Sequence, residues 1–339
     1  MADAAAVANF NAALQLLSHV YFSPIIGAMV RGGVPDHLSD GPLHADELAQ
    51  RSALDTLSLT RALRALTAFG AFQEVSPGVF ANNGVSDLYC NRPGGLRNCA
   101  LMYSSQHFLK SASALGHTML TGQSATQHVW GKSVWDHYRE SPEDNEAFHH
   151  ALAELRGDEH QQIADAYDWT GVNSVVDVGG GVGSLLVAIL QKWPSLRGVL
   201  VEQPDVLSHA EPVLTARGVR DRCDLISASF FESIPAVGDV WTMCQVLHDW
   251  PDADCLRILQ GCRQSMRSTD RLLICEMVPV PCRPNIPVSL VDMAMLMYFG
   301  EARQRTVEEY KTLFEATHFE LARVLPTAGA FSIVEAKPS

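Results

Sequence analysis

The residues best suited to chemistry cluster around one glycine run. In VVDVGGGVGSLLVAIL (residues 175–190) an apolar run contains Asp177, glycines follow at 179, 180, 181 and 183, and a second apolar run begins. Glycine lets the backbone approach a ligand closely and adopt positive φ, so a turn of this kind can hold a ligand where a strand meets a helix. An NTP loop would need Gly-Lys-Ser/Thr, and no lysine occurs between residues 172 and 191. A dinucleotide loop would read G-x-G-x-x-G, whereas Gly179, Gly181 and Gly183 give G-x-G-x-G and Ser184 takes the place of the third glycine. Pyrophosphate also favours a helix N-terminus without a nearby anion, and Asp177 closes the strand beside the loop. Further on, Glu202 ends GVLVEQ, where a carboxylate can accept hydrogen bonds from both hydroxyls of a ribose. Glycine turns also serve plain strand–helix packing, so the loop alone decides little. An acidic loop, a ribose acid and no phosphate cradle together describe S-adenosylmethionine.

The second chemical stretch is CQVLHDWPDADCLRIL (residues 244–259), where His248 follows the strand-like DVWTMCQVL. That order places an imidazole at the carboxyl edge of a sheet. Its unperturbed pKa of about 6.5 suits it to taking a proton near neutral pH. A lone histidine can equally be a core or surface residue, so its reading depends on the surrounding motif.

These residues need a scaffold, and the chain supplies two textures. Residues 1–165 read almost wholly as helix. FNAALQLLSHVYFSPIIGAMVRGGV has helical apolar spacing up to Gly32 and Gly33, and LHADELAQ and LSLTRALRALTAFGAF are short amphipathic helices. FQEVSPGVFANN then predicts a hairpin around Pro77 and Gly78. Helix, helix and hairpin describe an otherwise all-α, winged-helix-like domain. From about residue 172, strands SVVDVG, GVLVEQ, DLISAS, DVWTMCQV and RLLICEMV alternate with helical stretches. This predicts an α/β domain over 166–339, a Rossmann-like parallel sheet with helices on both faces. FELARVLPTAGAFSIVEAKP reads as two antiparallel strands at its edge.

Bulk properties narrow the function. Net charge is −13, and residues 1–160 hold 10 Lys/Arg against 16 Asp/Glu, so a winged-helix DNA reader would face electrostatic repulsion and no nucleic-acid partner is expected. No basic leader precedes the N-terminal apolar stretch and no long uninterrupted apolar run occurs, so a cytoplasmic protein without a membrane span is expected. The eight cysteines form no C-x-x-C pair and no zinc spacing, which predicts reduced, mostly buried thiols and no metal.

Taken in order, VVDVGGGVG, SFFESIP, VLHDW and ARQRTVEEYKTLFEATHF resemble the S-adenosylmethionine-dependent O-methyltransferases of the caffeate/acetylserotonin type and their bacterial natural-product relatives. The resemblance covers nearly the whole chain and implies a class I methyltransferase sheet behind an N-terminal dimerisation domain. It implies that His248 takes the acceptor's proton, that Glu276 in LLICEMVP orients it, and that Asp249 starts the next turn and anchors the ligand-side edge. Ser229, Phe230 and Cys244 fall where the family contacts the cofactor, whose product is S-adenosylhomocysteine. Three positions depart from the family pattern. Gln304 in RQRT replaces a glutamate flanking the histidine, Ser229 replaces an aspartate near the adenine, and Cys244 replaces a lysine of plant members.

The resemblance also places two helical faces on a small-molecule acceptor: Phe148, Leu152 and Leu155 on one, Val291, Met295 and Phe299 on the other, with Trp130 and Met102 beside them. Ordinary core packing would produce the same spacings. An apolar, Met-bearing lining suits a flat aromatic or polyketide-like ring. The first helix is apolar nearly all round and needs burial on more than one side, which an intertwined homodimer would supply, one chain helping to close its partner's pocket. Hydroxyl methylation leads. N- or C-methylation, a non-methylating enzyme on the same fold and a winged-helix regulator are the alternatives.

Overall fold

The computed structural model describes residues 4–339. The chain forms two compact units, one of residues up to 113 with 132–157, the other of 114–131 with 158–339. The division is therefore discontinuous, in contrast to the single cut after residue 165, because the segment 114–131 packs with the sheet domain. Helix Ala125–Trp130 lies against helix Ile286–Phe299, where the Ser124 hydroxyl donates to the Tyr298 carbonyl at 2.6 Å.

In the first unit, strands β1 (Leu43–His44), β2 (Gln73–Ser76) and β3 (Val79–Ala81) form a small antiparallel sheet in the order β1-β3-β2. The hairpin expected around Gly78 is present, with φ of +78° at that glycine, and β1 adds a third strand. Helices Ala45–Ser52 and Thr56–Ala68 turn Leu48, Leu59, Leu63 and Leu66 onto Phe80. Asp55 caps the second of them, accepting the Ser58 amide at 2.8 Å and satisfying one of the unpaired donors of the first turn.

Helix Ala4–Ser18 buries little. Phe10, Leu14, Leu16 and Leu17 are all exposed. With the following turn and helix it makes a 27-residue stretch, Ala5–Arg31, containing an 18-residue window of mean hydropathy 1.4, long and apolar enough by composition to cross a membrane. Counting only uninterrupted apolar residues overlooks it, because scattered Ser, Asn and Gln break the run without making it polar.

The second unit is built on seven strands: β4 (Ser174–Val178), β5 (Arg197–Glu202), β6 (Cys223–Ser227), β7 (Val240–Cys244), β8 (Arg271–Glu276), β9 (Phe319–Pro326) and β10 (Ser332–Pro338). Their order is β6-β5-β4-β7-β8-β10-β9, the first five parallel. The two C-terminal strands pair antiparallel as expected, with β10 inserted between β8 and β9. Alternation along β4 divides the core between the two faces of the sheet. Val175 packs with Leu186, Ile189 and Leu200, whereas Val176 and Val178 pack with Trp241, Ile258 and Leu259. Burial on both faces explains why these strands read as continuous apolar runs. Of the cysteines, Cys282 is exposed, Cys244 half-buried and the others buried, and among the described residues none is in a disulfide.

Candidate functional site

The glycine loop joins β4 to helix Ser184–Lys192. Gly179, Gly181 and Gly183 have φ of +66°, +58° and +80°, conformations that other residues adopt at a cost. Each serves a different end. A Cβ on Gly183 would lie 3.2 Å from Leu214 and one on Gly179 3.0 Å from Val246, so these two let the loop sit close to its neighbours. A Cβ on Gly181 would meet no heavy atom within 4 Å, which leaves that part of the loop open to a ligand.

Gly180, not singled out in the sequence, is the most constrained: its Cβ would fall 2.2 Å from Asp177 Oδ2 and 2.7 Å from Leu200. The GGG run was its signal. Asp177 therefore lies under the loop rather than at its rim. It is fully buried, with the Thr242 hydroxyl donating to Oδ1 at 2.7 Å and Oδ2 left without a hydrogen-bond partner. Burial pushes its pKa up to about 7, Thr242 opposing the shift and Glu202 adding to it.

Glu202 ends β5 beside the loop, Oε2 accepting the Gly181 amide at 3.3 Å and Oε1 the Gln203 amide at 2.8 Å. Burial raises its pKa while those two amides oppose the rise. Each carboxylate oxygen keeps a further acceptor site, as a ribose diol requires. Phe230 packs at the edge of the loop, 3.4 Å from the Cβ position of Gly179. Ser229 is turned to a local task, its hydroxyl accepting the Phe231 amide at 3.3 Å. Cys244 ends β7 in register with Cys275 of β8. The loop, Glu202 and Phe230 thus converge, and the open face over Gly181 with the diol-accepting carboxylate fits S-adenosylmethionine.

The segment carrying His248 leaves β7 through Gln245, whose φ of +55° is strained for a residue with a side chain, and enters a short 3₁₀ turn, Leu247–Asp249. His248 is 5% exposed. Its amide donates to Glu276 Oε1 at 3.2 Å, and its Nδ1 lies 3.5 Å from Glu276 Oε2. Glu276 ends β8 fully buried. Burial pushes it up to about 7, although the amides of residues 246–248 and the Arg305 guanidinium oppose that. On the other side of the ring, Asp249 Oδ1 stands 3.4 Å from Nε2. His248, Glu276 and Asp249 are brought together as a set.

What holds this turn was not read from the sequence beyond Gln304. The segment RQRT sends alternate residues to opposite tasks. Gln304 reaches His248 Nδ1 at 2.5 Å, and its backbone amide donates to Asp292 Oδ1 at 2.8 Å. Arg305, fully buried, donates to the carbonyls of Leu247 at 2.6 Å and Trp250 at 2.7 Å, and to Asp252 Oδ1 at 2.8 Å. Arg303 donates to the other oxygen of Asp252 at 2.9 Å. Burial would raise the Asp252 pKa, but the two arginines outweigh it and hold the carboxyl below its ordinary value. Thr306 and Glu309 then form a reciprocal cap that starts helix Val307–Ala316. Two arginines flanking the glutamine were the available signal for this clamp.

The residues expected on the acceptor divide between the units. In the first unit, Met102 packs with Cys99 and Ala151, Phe148 stacks on Tyr138 at 4.4 Å, Leu152 is half-buried and Leu155 exposed. In the second, Val291 lies against the core, Met295 is buried, and Trp130 and Phe299 are half-buried. Phe299 borders a cavity of about 560 Å³ that Ser124, His117, His128 and Glu301 make polar. Among the described residues no cluster of three or more His, Cys, Asp or Glu is placed to hold a metal ion.

A family model of an O-methyltransferase domain matches residues 113–320, and one of an O-methyltransferase dimerisation domain matches residues 14–92. The phenazine O-methyltransferase PhzM of Lysobacter antibioticus is 35% identical over 336 residues, 99% of this chain and 98% of that protein. The structure of the mitomycin 7-O-methyltransferase MmcR superposes with a TM-score of 0.90 at 33% identity, covering 99% of each chain. The O-methyltransferase NcsB1 from neocarzinostatin biosynthesis, solved with S-adenosylmethionine and 2-hydroxy-5-methyl naphthoic acid, superposes with a TM-score of 0.81 at 28% identity, covering 94% of this chain and 96% of that one. More distant relatives include N-methyltransferases, such as that acting on phenazine-1-carboxylate in Pseudomonas aeruginosa, 27% identical over 92% of each chain.

Proposed function

The chain belongs to the family of S-adenosylmethionine-dependent O-methyltransferases that act on small natural-product acceptors, and within it we propose that this enzyme methylates a hydroxyl on a small, flat aromatic or polyketide-like ring, with His248 as general base and Glu276 as its orienting acid. The donor, when bound, supplies a sulfonium methyl carbon. The chain's own residues bind it through Gly179, Gly181, Gly183 and Glu202, with Phe230, Ser229 and Cys244 beside them and Asp177 supporting the loop from below. His248 removes the hydroxyl proton, and Asp249 faces the imidazolium that results.

The observation that carries this reading is the buried set around His248, where the imidazole at the end of β7 meets Glu276 on one side and Asp249 on the other. The acceptor ring would lie against residues of the second unit drawn from Trp130, Val291, Met295 and Phe299. Flat fused rings named for the relatives, phenazine and naphthoic acid, support that class. N-methylation is the second reading, favoured by the N-methyltransferases among the relatives. The test is transfer from methyl-labelled S-adenosylmethionine across a panel of phenols, hydroxyquinones, hydroxyphenazines and aromatic amines. Label in amines alone would replace the hydroxyl reading with the nitrogen one.

The exposed apolar row of helix Ala4–Ser18 and the dimerisation-domain match support a homodimer. Light scattering should give twice the chain mass of 37.0 kDa at micromolar concentration. A stable monomer would remove the dimer.

A further inference from the structure

We propose that Gln304 sets the tautomer of His248: its amide oxygen accepts the hydrogen of Nδ1, leaving Nε2 unprotonated as the nitrogen that takes the acceptor's proton. The proposal rests on the reading of His248 as general base.

Three observations lead to it. First, the amide end of Gln304 lies 2.5 Å from Nδ1, and both side chains are almost wholly buried, so no water competes for that nitrogen. The two ends of an amide are told apart only by the bonds they make. With Nε2 on Nδ1, the ring nitrogen would have to be an acceptor, Nε2 of the histidine would carry the hydrogen, and Gln304 Oε1 would be a buried carbonyl without a partner. That arrangement leaves an imidazole unable to take a proton on its outer nitrogen. Rotating the amide by half a turn puts Oε1 on an Nδ1 hydrogen and leaves the outer ring nitrogen its lone pair, with the amide nitrogen taking the place of the unpartnered oxygen.

Second, the charges around the ring favour the same tautomer. Glu276 Oε2 from β8 faces Nδ1 at 3.5 Å from a fully buried position. Asp249, on the same turn as the histidine, faces Nε2 at a similar 3.4 Å, but its side chain is 20% exposed and its field is screened by water. The remaining charged and titratable neighbours act indirectly. Arg305 binds the Leu247 carbonyl, Asp292 from helix Ile286–Phe299 holds the Gln304 backbone, and Tyr310 from helix Val307–Ala316 lies near Glu276.

Third, the amide is held in place from both sides of its own backbone. Arg303 and Arg305 are both fixed on Asp252, and the Gln304 amide is fixed on Asp292. A side chain between three such anchors loses little freedom when it bonds the ring. Because Gln304 is uncharged, it directs the proton without adding a second anion beside Nδ1.

The test uses full-length enzyme labelled with ¹⁵N-histidine, with the His248 signal assigned by its loss in His248→Gln. Neutral wild type should show the hydrogen on Nδ1. Gln304→Met, which has no comparable acceptor, should shift the ratio at least tenfold toward the Nε2–H form, a change a merely structural role would not produce. Gln304→Glu, of the same shape, should keep the tautomer and raise the titration midpoint of His248 by about 1–3 units, as an added anion requires. Hydrogen on Nε2 in wild type, or an unchanged ratio in Gln304→Met, overturns the assignment. Wild-type turnover of the most active phenol by His248→Gln overturns instead the base reading beneath it, so the two failures are distinguishable.

Discussion

The glycine loop and the turn that carries His248 lie on neighbouring strands of one sheet, yet they are built in opposite ways. The loop is shaped by missing side chains. The polar groups against its backbone are near in sequence, Asp177 under Gly180 and Glu202 on the Gly181 amide 21 residues away, while Val246, Phe230 and Leu214 supply apolar walls from farther along the chain. The turn is shaped by side chains delivered from elsewhere, Glu276 at 28 residues, Gln304 at 56 and Arg305 at 58. A loop of the first kind needs the right backbone and, at Gly180, tolerates no added bulk. A turn of the second kind needs several packed elements in register before any of its groups meet.

This contrast predicts that donor binding and proton removal can be damaged separately. The largest effect should come from His248→Gln, which should lose turnover by about 10²–10⁴-fold while calorimetry finds the donor's dissociation constant unchanged. A parallel loss of both would merge the two regions. Next, Glu202→Ala should weaken S-adenosylmethionine and S-adenosylhomocysteine alike, by about 10–100-fold if the ribose bonds are lost. Gly180→Ala should weaken both as well, since its Cβ meets Asp177 and Leu200, and more so than Gly181→Ala, where only φ is strained. The reverse order for the two glycines would mean that Asp177 yields easily.

A smaller effect is expected from Arg305→Met, which leaves the Leu247 and Trp250 carbonyls without their donor. Unfolding should be easier by about 1.5–3 kcal/mol, with kcat reduced and donor affinity kept. Unchanged kcat would show that the turn holds its shape without the clamp.

The last effect is on the pH dependence of stability. Asp177 titrates near 7 in the fold against an ordinary 3.8, so between those values the folded chain keeps a proton that the unfolded chain has lost. Its contribution to stability is fully present below about pH 4 and is lost as pH rises toward 7. Asp177→Asn should remove that slope, so the stability of wild type minus variant, from denaturant titrations, should fall over this interval. A flat difference would mean that Asp177 is better solvated than its burial implies.

Much of the fold was legible because its determinants are local. The apolar run of β4, the GGG run, the 3.6-residue spacing of Leu59, Leu63 and Leu66, and the turn at Gly78 are each settled by residues a few positions apart. The position of His248 after a strand was legible for the same reason, since a parallel sheet presents its strand ends to one edge. Other features were not. The segment 114–131 carries no mark of the unit it joins, because its helices are short and their partner, Ile286–Phe299, lies far along the chain. The burial of Arg305 was equally hidden: the two arginines flanking Gln304 mark a clamp, but nothing near them in sequence says which one turns inward.

The sequence by itself determined the strand–glycine–helix turn, the sign of the charge beside it and the placing of one imidazole at a strand end, since backbone conformation and periodicity depend on near neighbours. Only the tertiary structure decided that Asp177 turns beneath the loop, and that Glu276, Gln304 and Arg305 converge on residues 247–250. Their directions follow from which side of each strand or segment is packed inward, and that is fixed only once the whole sheet and its covering helices are assembled.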